Sequence, residues 1–326
     1  MMTLSTMWNG DRRFDERGEL PVAAMVLARW AHDPGSLAIV RYSSNFVFTF
    51  TDAGHRSFLR VADARERSRP FIGAEVDLLV WLAAMGSALA TPLPSLAGHL
   101  AETVEIGHDT FHGVVFPGLA GDQRDISDLD LAGFSTWGAA LGRLHTTMRG
   151  YAGSTIAARG SWRETMALIR AQLPPGESAI HRETDELGAA LLALPVNPDT
   201  YGLIHGDFEL DNLIWRQRTI GMLDFDDCTH HWYAADIAFA LRDLFDVGAG
   251  IDDARVQSFM VGYTRHHAVA TAMVSSLPLF SRLARLTTYA RIARSIDLPA
   301  AGVPAWVIDL RRRLERKATG YLASLS

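Results

Sequence analysis

LIHGDFELDNLIWRQRTIGMLDF, residues 203–225, decides how this 326-residue chain is read. Tyr201–Ile204 is apolar and partly β-branched, and Leu213-Ile214-Trp215 and residues 220–223 are apolar runs of strand length. The stretch therefore reads as strand, polar loop, strand, turn and a third strand ending in carboxylates. His205, Asp207 and Asn212 lie in the polar loop, and Asp224, Asp226 and Asp227 follow the last strand. Polar groups at the ends of buried strands are held rigidly, and the pattern aims these at one cleft. The competing reading is a loop whose Asp and Asn side chains only form turns.

The spacing separates the two readings. His205-Gly206-Asp207, four residues and then Asn212 reproduce the His-x-Asp-x-x-x-x-Asn spacing of a kinase catalytic loop. Asp224-Phe225-Asp226 stands where a metal-binding Asp-Phe-Gly would stand. HGDFELDN, LDFDD and DIAFAL together resemble the aminoglycoside phosphotransferase and choline kinase superfamily, nearest its bacterial homoserine-kinase-like and stress-response-kinase-like branches. The resemblance implies an α+β, two-lobed protein-kinase-like fold: a small antiparallel-sheet N-lobe over 1–117 and a mainly helical C-lobe over 118–326. It implies ATP and Mg2+ as cofactors and transfer of the γ-phosphate to a hydroxyl. Asp207 would accept the hydroxyl proton, and Asn212 and Asp224 would hold magnesium through hard oxygen ligands. His205 would brace the loop, Asp226 would approach a second metal, and Asp227 would cap the following turn. Asp236 matches an aspartate that supports the catalytic loop, or is simply an acid at a helix N-terminus.

Bulk composition bounds the alternatives. A hydrophobic share of 48% and a charged share of 21% are those of a soluble globular protein. No apolar run approaches the roughly 20 residues of a membrane helix, and residues 1–20 lack the apolar core of a secretion signal. The single Cys228 excludes an internal disulfide and fits a reducing cytoplasm. It is a small buried filler or a reactive thiol beside the aspartates. A net charge of −6 argues against nucleic acid as the partner. Lys317 is the one lysine, so any phosphate-gripping cation in the first half must be arginine.

Outward from the motif, residues 1–20 are polar and expected to be poorly ordered at the start, and 21–32 has helical spacing. Residues 37–51 read as a β-hairpin turning at Ser43-Ser44-Asn45. The resemblance places that turn over nucleotide phosphates; without a glycine-rich motif, an ordinary turn fits equally. Residues 57–61 form a third strand, with Arg60 where relatives usually carry lysine. Glu75, on a helix over 71–85, would be its partner. The alternatives are a surface arginine and a solvated acid. Two strands follow at 101–106 and 113–116. Phe116, Pro117 and Leu119 resemble the hinge that receives adenine: the Pro117 carbonyl can accept, and the Leu119 N–H would donate. Helices are expected at 134–148, 161–173, 182–194, 234–244, 256–266, 277–294 and 303–322. His145 reads as a hydrogen-bonded core histidine.

The acceptor is the open question. Glu209, Asp211, Asp226 and Asp227 would attract an amine, and Trp232 and Tyr233 would stack on a cation. That combination favours an amino alcohol, amino sugar or homoserine-like compound. Acidic loops are also commonly solvated, and such aromatics commonly pack. Rival readings are a protein Ser/Thr kinase, a nucleotide-binding pseudokinase and a metal-dependent phosphohydrolase.

Overall fold

The computed structural model describes residues 1–14, 21–299 and 302–325. Strand-length runs rich in β-branched and aromatic residues build the sheet. β1 (Ala38–Tyr42), β2 (Phe46–Asp52), β3 (His55–Asp63), β4 (Glu102–Ile106) and β5 (Asp109–Pro117) pair antiparallel in the order β1-β2-β3-β5-β4. Every second residue, Phe46, Phe48 and Phe50 with Leu59, Val61 and Val115, turns to one buried face. The intervening row, Val47, Arg60 and Val114, is in cross-strand register on the other face. That face meets α3 (Arg69–Ala84) and the cleft. Ser68 caps α3 by accepting from the Phe71 N–H, and Pro70 sits in its first turn.

The apolar face of the sheet needs cover, and both ends of the chain supply it. Met2, Leu4 and Met7 from α1 (Leu4–Phe14) and its approach, and Val22 and Val26 from α2 (Pro21–Leu27), pack there with Ile292, Val307 and Leu314. The start of the chain is thus helical and docked, against the expectation of poor order. Its backbone is also tied: the Ser5 N–H donates to Asp297 at 2.9 Å. Residues 15–20, included in that expectation, lie outside the described residues. The helix expected over 21–32 stops at Leu27, and Trp30 then turns inward to donate to the Leu93 carbonyl at 3.0 Å.

The larger lobe is helical. α4 (Leu131–Met148) crosses α9 (Ala254–Thr264) at very short range, because glycines line the contact. A Cβ on Gly138 would stand 1.9 Å from the Phe259 carbonyl oxygen, and one on Gly262 1.8 Å from that of Ser135. α5 (Trp162–Gln172) opens with a Ser161–Glu164 capping box and packs with α6 (Ser178–Leu192) and α11 (Leu277–Ser295). α10 (Thr271–Val274) leads into α11, and α12 (Ala305–Ala323) ends the described chain.

The motif strands are β6 (Tyr201–Ile204), β7 (Leu213–Arg216) and β8 (Thr219–Met222). β7 and β8 form a hairpin. A fourth strand, β9 (Thr229–Trp232), pairs antiparallel with β6 and had no sequence signal, because Thr-His-His-Trp lacks apolar alternation. The helix expected over 234–244 is two: α7 (Tyr233–Ala240) and the short α8 (Arg242–Asp246), broken at Leu241. Among the described residues no helix is long and apolar enough to cross a membrane.

Candidate active site

Two cavities meet between the lobes. One, of about 510 Å³, is walled mainly by apolar side chains, among them Val47, Phe58, Leu79, Phe116, Leu119, Ile214 and Met222. Pro117 also lines it, so the three hinge residues named from sequence come together there. The other, of about 180 Å³, is polar and lined by Ser43, Ser44, Asn45, Asp207, Asn212 and Asp224, with Arg41, Arg60, Glu209 and Arg242. The hairpin turn and the motif loop therefore face each other across this cavity.

A buried scaffold holds the loop. Asp236 on α7 accepts from the backbone N–H groups of His205 (2.8 Å) and Gly206 (2.9 Å), and from His145 Nε2 (2.9 Å). Burial opposes its charge, but the hydrogen bond and charge of His145 hold the Asp236 carboxyl below its ordinary value. Gly206 has φ +83°, and a Cβ there would be 2.3 Å from the Asp227 carbonyl, so this bend requires glycine. His205 Nε2 lies 3.0 Å from the Leu223 carbonyl, its Nδ1 accepts from the Asp207 N–H, and its ring packs 4.3 Å from that of Phe225. Burial lowers its pKa. A neutral, doubly hydrogen-bonded imidazole is a brace, not a proton carrier. His145 also reaches the Tyr263 hydroxyl at 2.8 Å, as a satisfied core histidine.

Asp207 projects into the polar cavity with its side chain 33% exposed. The Asn212 amide donates to both its carbonyl and its Oδ2 at 2.9 Å, fixing the carboxylate relative to Asn212. Across the cleft Arg60 forms a two-pronged pair with Glu75, 2.9 and 2.6 Å, both buried. The guanidinium fork suits this geometry better than an ammonium would. Arg60 Nη1 also lies 3.7 Å from Asp224 Oδ1, and Arg41 donates to Asp224 Oδ2 at 3.1 Å.

Asp224 is held in the left-handed region at φ 57°. Its Oδ1 is buried and accepts no hydrogen bond. Burial, with Asp226 and Glu75 nearby, pushes its carboxyl up to about 6 against the pull of Arg60. A cation is the partner that fits such an oxygen. Among the described residues no three His, Cys, Asp or Glu side chains cluster as a metal cage. Asn212 and Asp224 both line the polar cavity, and their side chains carry hard oxygens of the kind a divalent cation takes.

Several expectations need correction. Asp226 is not open to a second metal: it is clasped by Arg67 through Nε and Nη2 at 3.0 and 2.7 Å and takes a bond from Asn45, so Arg67 outweighs burial and lowers its pKa. The Asn45 amide N–H is thereby engaged by Asp226 at 3.3 Å, although Asn45 lines the polar cavity. Asp227 pairs with Arg291 at 2.8 Å instead of capping a turn. Trp232 and Tyr233 are buried in the core and cannot stack on an incoming cation. Cys228 is buried, and burial drives its thiol up to about 12, so it is filler.

Sequence reasoning missed the arginines that organise this loop. Arg159 is buried and donates to the carbonyls of Cys228 (3.0 Å), Phe225 (2.9 Å), Phe71 (3.2 Å) and, closely, Asp226. The Phe71 ring lies 3.6 Å from its guanidinium carbon and 5.4 Å from that of Arg67. These contacts bolt the Asp224 loop to the first turn of α3, the helix that carries Glu75. Arg242 pairs with Glu209 and lies 3.9 Å from Asp207 Oδ1. The one hint in the sequence was that lysine is absent until position 317.

This geometry agrees with the comparisons to known proteins. Residues 39–271 match the Phosphotransferase enzyme family. The chain belongs to that family. It is 28% identical over 294 residues to the amicoumacin kinase of Bacillus subtilis (strain 168), covering 87% of this chain and 88% of the relative. A homoserine kinase of Beijerinckia indica subsp. indica is 28% identical over 232 residues, 67% of this chain and 66% of the relative. The solved structure of an amicoumacin kinase in complex with AMP-PNP, Ca2+ and Ami superposes with a TM-score of 0.79 at 24% identity, over 96% of this chain and 95% of that one. The two-lobed kinase-like fold is thus established, and the chain is an ATP-dependent small-molecule phosphotransferase with a hydroxyl acceptor.

Proposed function

We propose that the cleft binds ATP with Mg2+, adenine in the apolar cavity and phosphates in the polar one, and that Asp207 directs the γ-phosphate to the hydroxyl of a small amine-bearing acceptor. The observation that carries this reading is the joint placement of Asp207, Asn212 and the Asp224 oxygen that accepts no hydrogen bond around one polar cavity. Phosphoryl transfer asks little covalent chemistry of a protein and much alignment. Asp207 accepts the acceptor's proton and orients its oxygen. Asn212 fixes Asp207 through its amide N–H groups and, with Asp224, offers oxygen ligands. When bound, Mg2+ neutralises phosphate charge. Arg60, locked by Glu75, faces the phosphates from the sheet.

Of the four acids first considered, Glu209 and Asp211 remain at the polar cavity to support the amine. Asp226 and Asp227 are committed to arginines; Glu209 gives one oxygen to Arg242, while its Oε1 is buried with no hydrogen bond beside Asp207. Burial and the Asp207 carboxylate raise the Glu209 pKa against the pull of Arg242. The relatives named for homoserine and amicoumacin support a small acceptor over a protein. We place the reaction in the cytoplasm, where ATP is available and a lone reduced Cys228 is at home.

The test is ATP consumption over a panel of amino alcohols, amino sugars, hydroxy amino acids and peptides. At least one small amine-bearing alcohol should be turned over, and Asp207→Asn should lower kcat by at least about a hundredfold while Mg-ATP affinity changes little. Turnover of peptides alone, or full activity in Asp207→Asn, overturns the proposal.

A further inference from the structure

The first strand of the sheet contains an irregularity. Ile39 pairs with Phe48 and Arg41 with Val47, so Val40 is an extra residue in β1. Such a bulge shifts every following side chain to the opposite face. In regular register Val40 would oppose Val47, and Arg41 would oppose Phe46 on the core face. With the bulge, Arg41 joins the row Val47–Arg60–Val114 that faces the cleft.

Arg41 ends at the junction of the apolar and polar cavities and lines both. Its side chain is 49% exposed and donates to Asp224 Oδ2 at 3.1 Å. Arg60, its neighbour in the row, is spent in a two-pronged pair with Glu75. The turn at Ser43-Ser44-Asn45 has no glycine-rich loop to wrap phosphates, and the Asn45 side chain is held by Asp226.

We propose that Arg41 is a phosphate-gripping residue of the nucleotide site, exchanging its bond to Asp224 for the phosphate oxygens of the bound nucleotide. The inference rests on the reading that this cleft takes ATP. Its logic is a swap of partners. A carboxylate that receives a divalent cation gives up its arginine, and the freed guanidinium then faces the polar cavity with a planar fork matched to phosphate. Its place at the edge of the sheet lets it move without disturbing the core. The bulge supplies the aim, and the half-exposed side chain supplies the reach.

The experiment measures binding of adenosine, ADP and Mg-ATP by calorimetry to the natural chain and to Arg41→Ala and Arg41→Lys. Arg41→Ala should weaken Mg-ATP and ADP by about tenfold or more, as loss of a charge-assisted contact does, and leave adenosine within about twofold. Arg41→Lys should recover part of the loss. Equal Mg-ATP affinity in the natural chain and Arg41→Ala overturns the assignment while leaving the function intact, as does an equal loss for adenosine and ATP. If the natural chain binds neither adenosine nor ATP, the underlying function fails instead, and the assignment with it. Arg41→Gln serves as second variant if the alanine protein has a lowered thermal midpoint.

Discussion

Asp224 sits under electrostatic tension in the cleft. Its carboxyl, ordinarily near 3.8, sits at about 6 because burial disfavours the charge more than Arg60 and Arg41 restore it. The folded chain therefore keeps this proton to higher pH than the unfolded chain does. The stability it gives is complete below about 3.8 and is lost as pH rises through about 6. Cation binding needs the ionised form and runs the opposite way. Mn2+ affinity, measured in the presence of a non-hydrolysable nucleotide, should fall about tenfold per pH unit below 6 and level off above 7. A flat profile between pH 5 and 7 would show that Asp224 does not touch the metal. The neighbouring Asp226 behaves in the reverse sense, since Arg67 keeps it charged throughout this range.

At the scale of elements, the catalytic loop is only as firm as the helices under it. Asp236 on α7 and His145 on α4 hold its backbone, and α4 is held in turn by α9. That crossing depends on glycine at 138, 142 and 262, where a Cβ would overlap a facing carbonyl oxygen. Gly262→Ala forces the helices apart or strains one of them. It should cost about 1–3 kcal/mol, the usual range for overpacking, read as a lower urea midpoint. It should also lower kcat more than it raises KM for ATP, because α4 carries the His145 contact to Asp236 and contributes nothing to the apolar cavity walls. An unchanged midpoint would mean that this crossing can relax. The hydrophobic spacing of α4 was visible in the sequence; which of its glycines touch a partner was not, because glycine has no side chain to betray its environment.

At the scale of the molecule, the boundary drawn at residue 117 separates the cleft walls but not the cores. The sheet's apolar face is closed by Ile292, Val307 and Leu314, from the far end of the chain. Arg294 to Glu66 and Ser5 to Asp297 add polar ties along the same seam. A sheet that borrows part of its core from α11 and α12 has little stability of its own. Calorimetric unfolding should therefore give a single transition, with calorimetric and van't Hoff enthalpies in agreement. Leu314→Ala should move the whole transition down by about 2–4 kcal/mol. Two resolved transitions, with only one of them shifted by Leu314→Ala, would show that the lobes fold separately.

The chain by itself determined the motif, the hairpins, most of the helices and the cleft they surround, because these depend on spacing and periodicity within a few residues. His205, Asp207, Asn212 and Asp224 were legible for that reason, and Arg60, Glu75 and Asp236 through the family resemblance. Tertiary structure alone decided which acids are free. Asp226 and Arg67 are 159 positions apart, Asp224 and Arg41 are 183 apart, and arginine gives no local pattern by which to choose its partner. Strand β9 and the burial of Trp232 and Tyr233 were likewise settled by packing against β6 and α11, which no local alternation could announce. Charge compensation and core closure act through space, so they become readable only once the chain has folded.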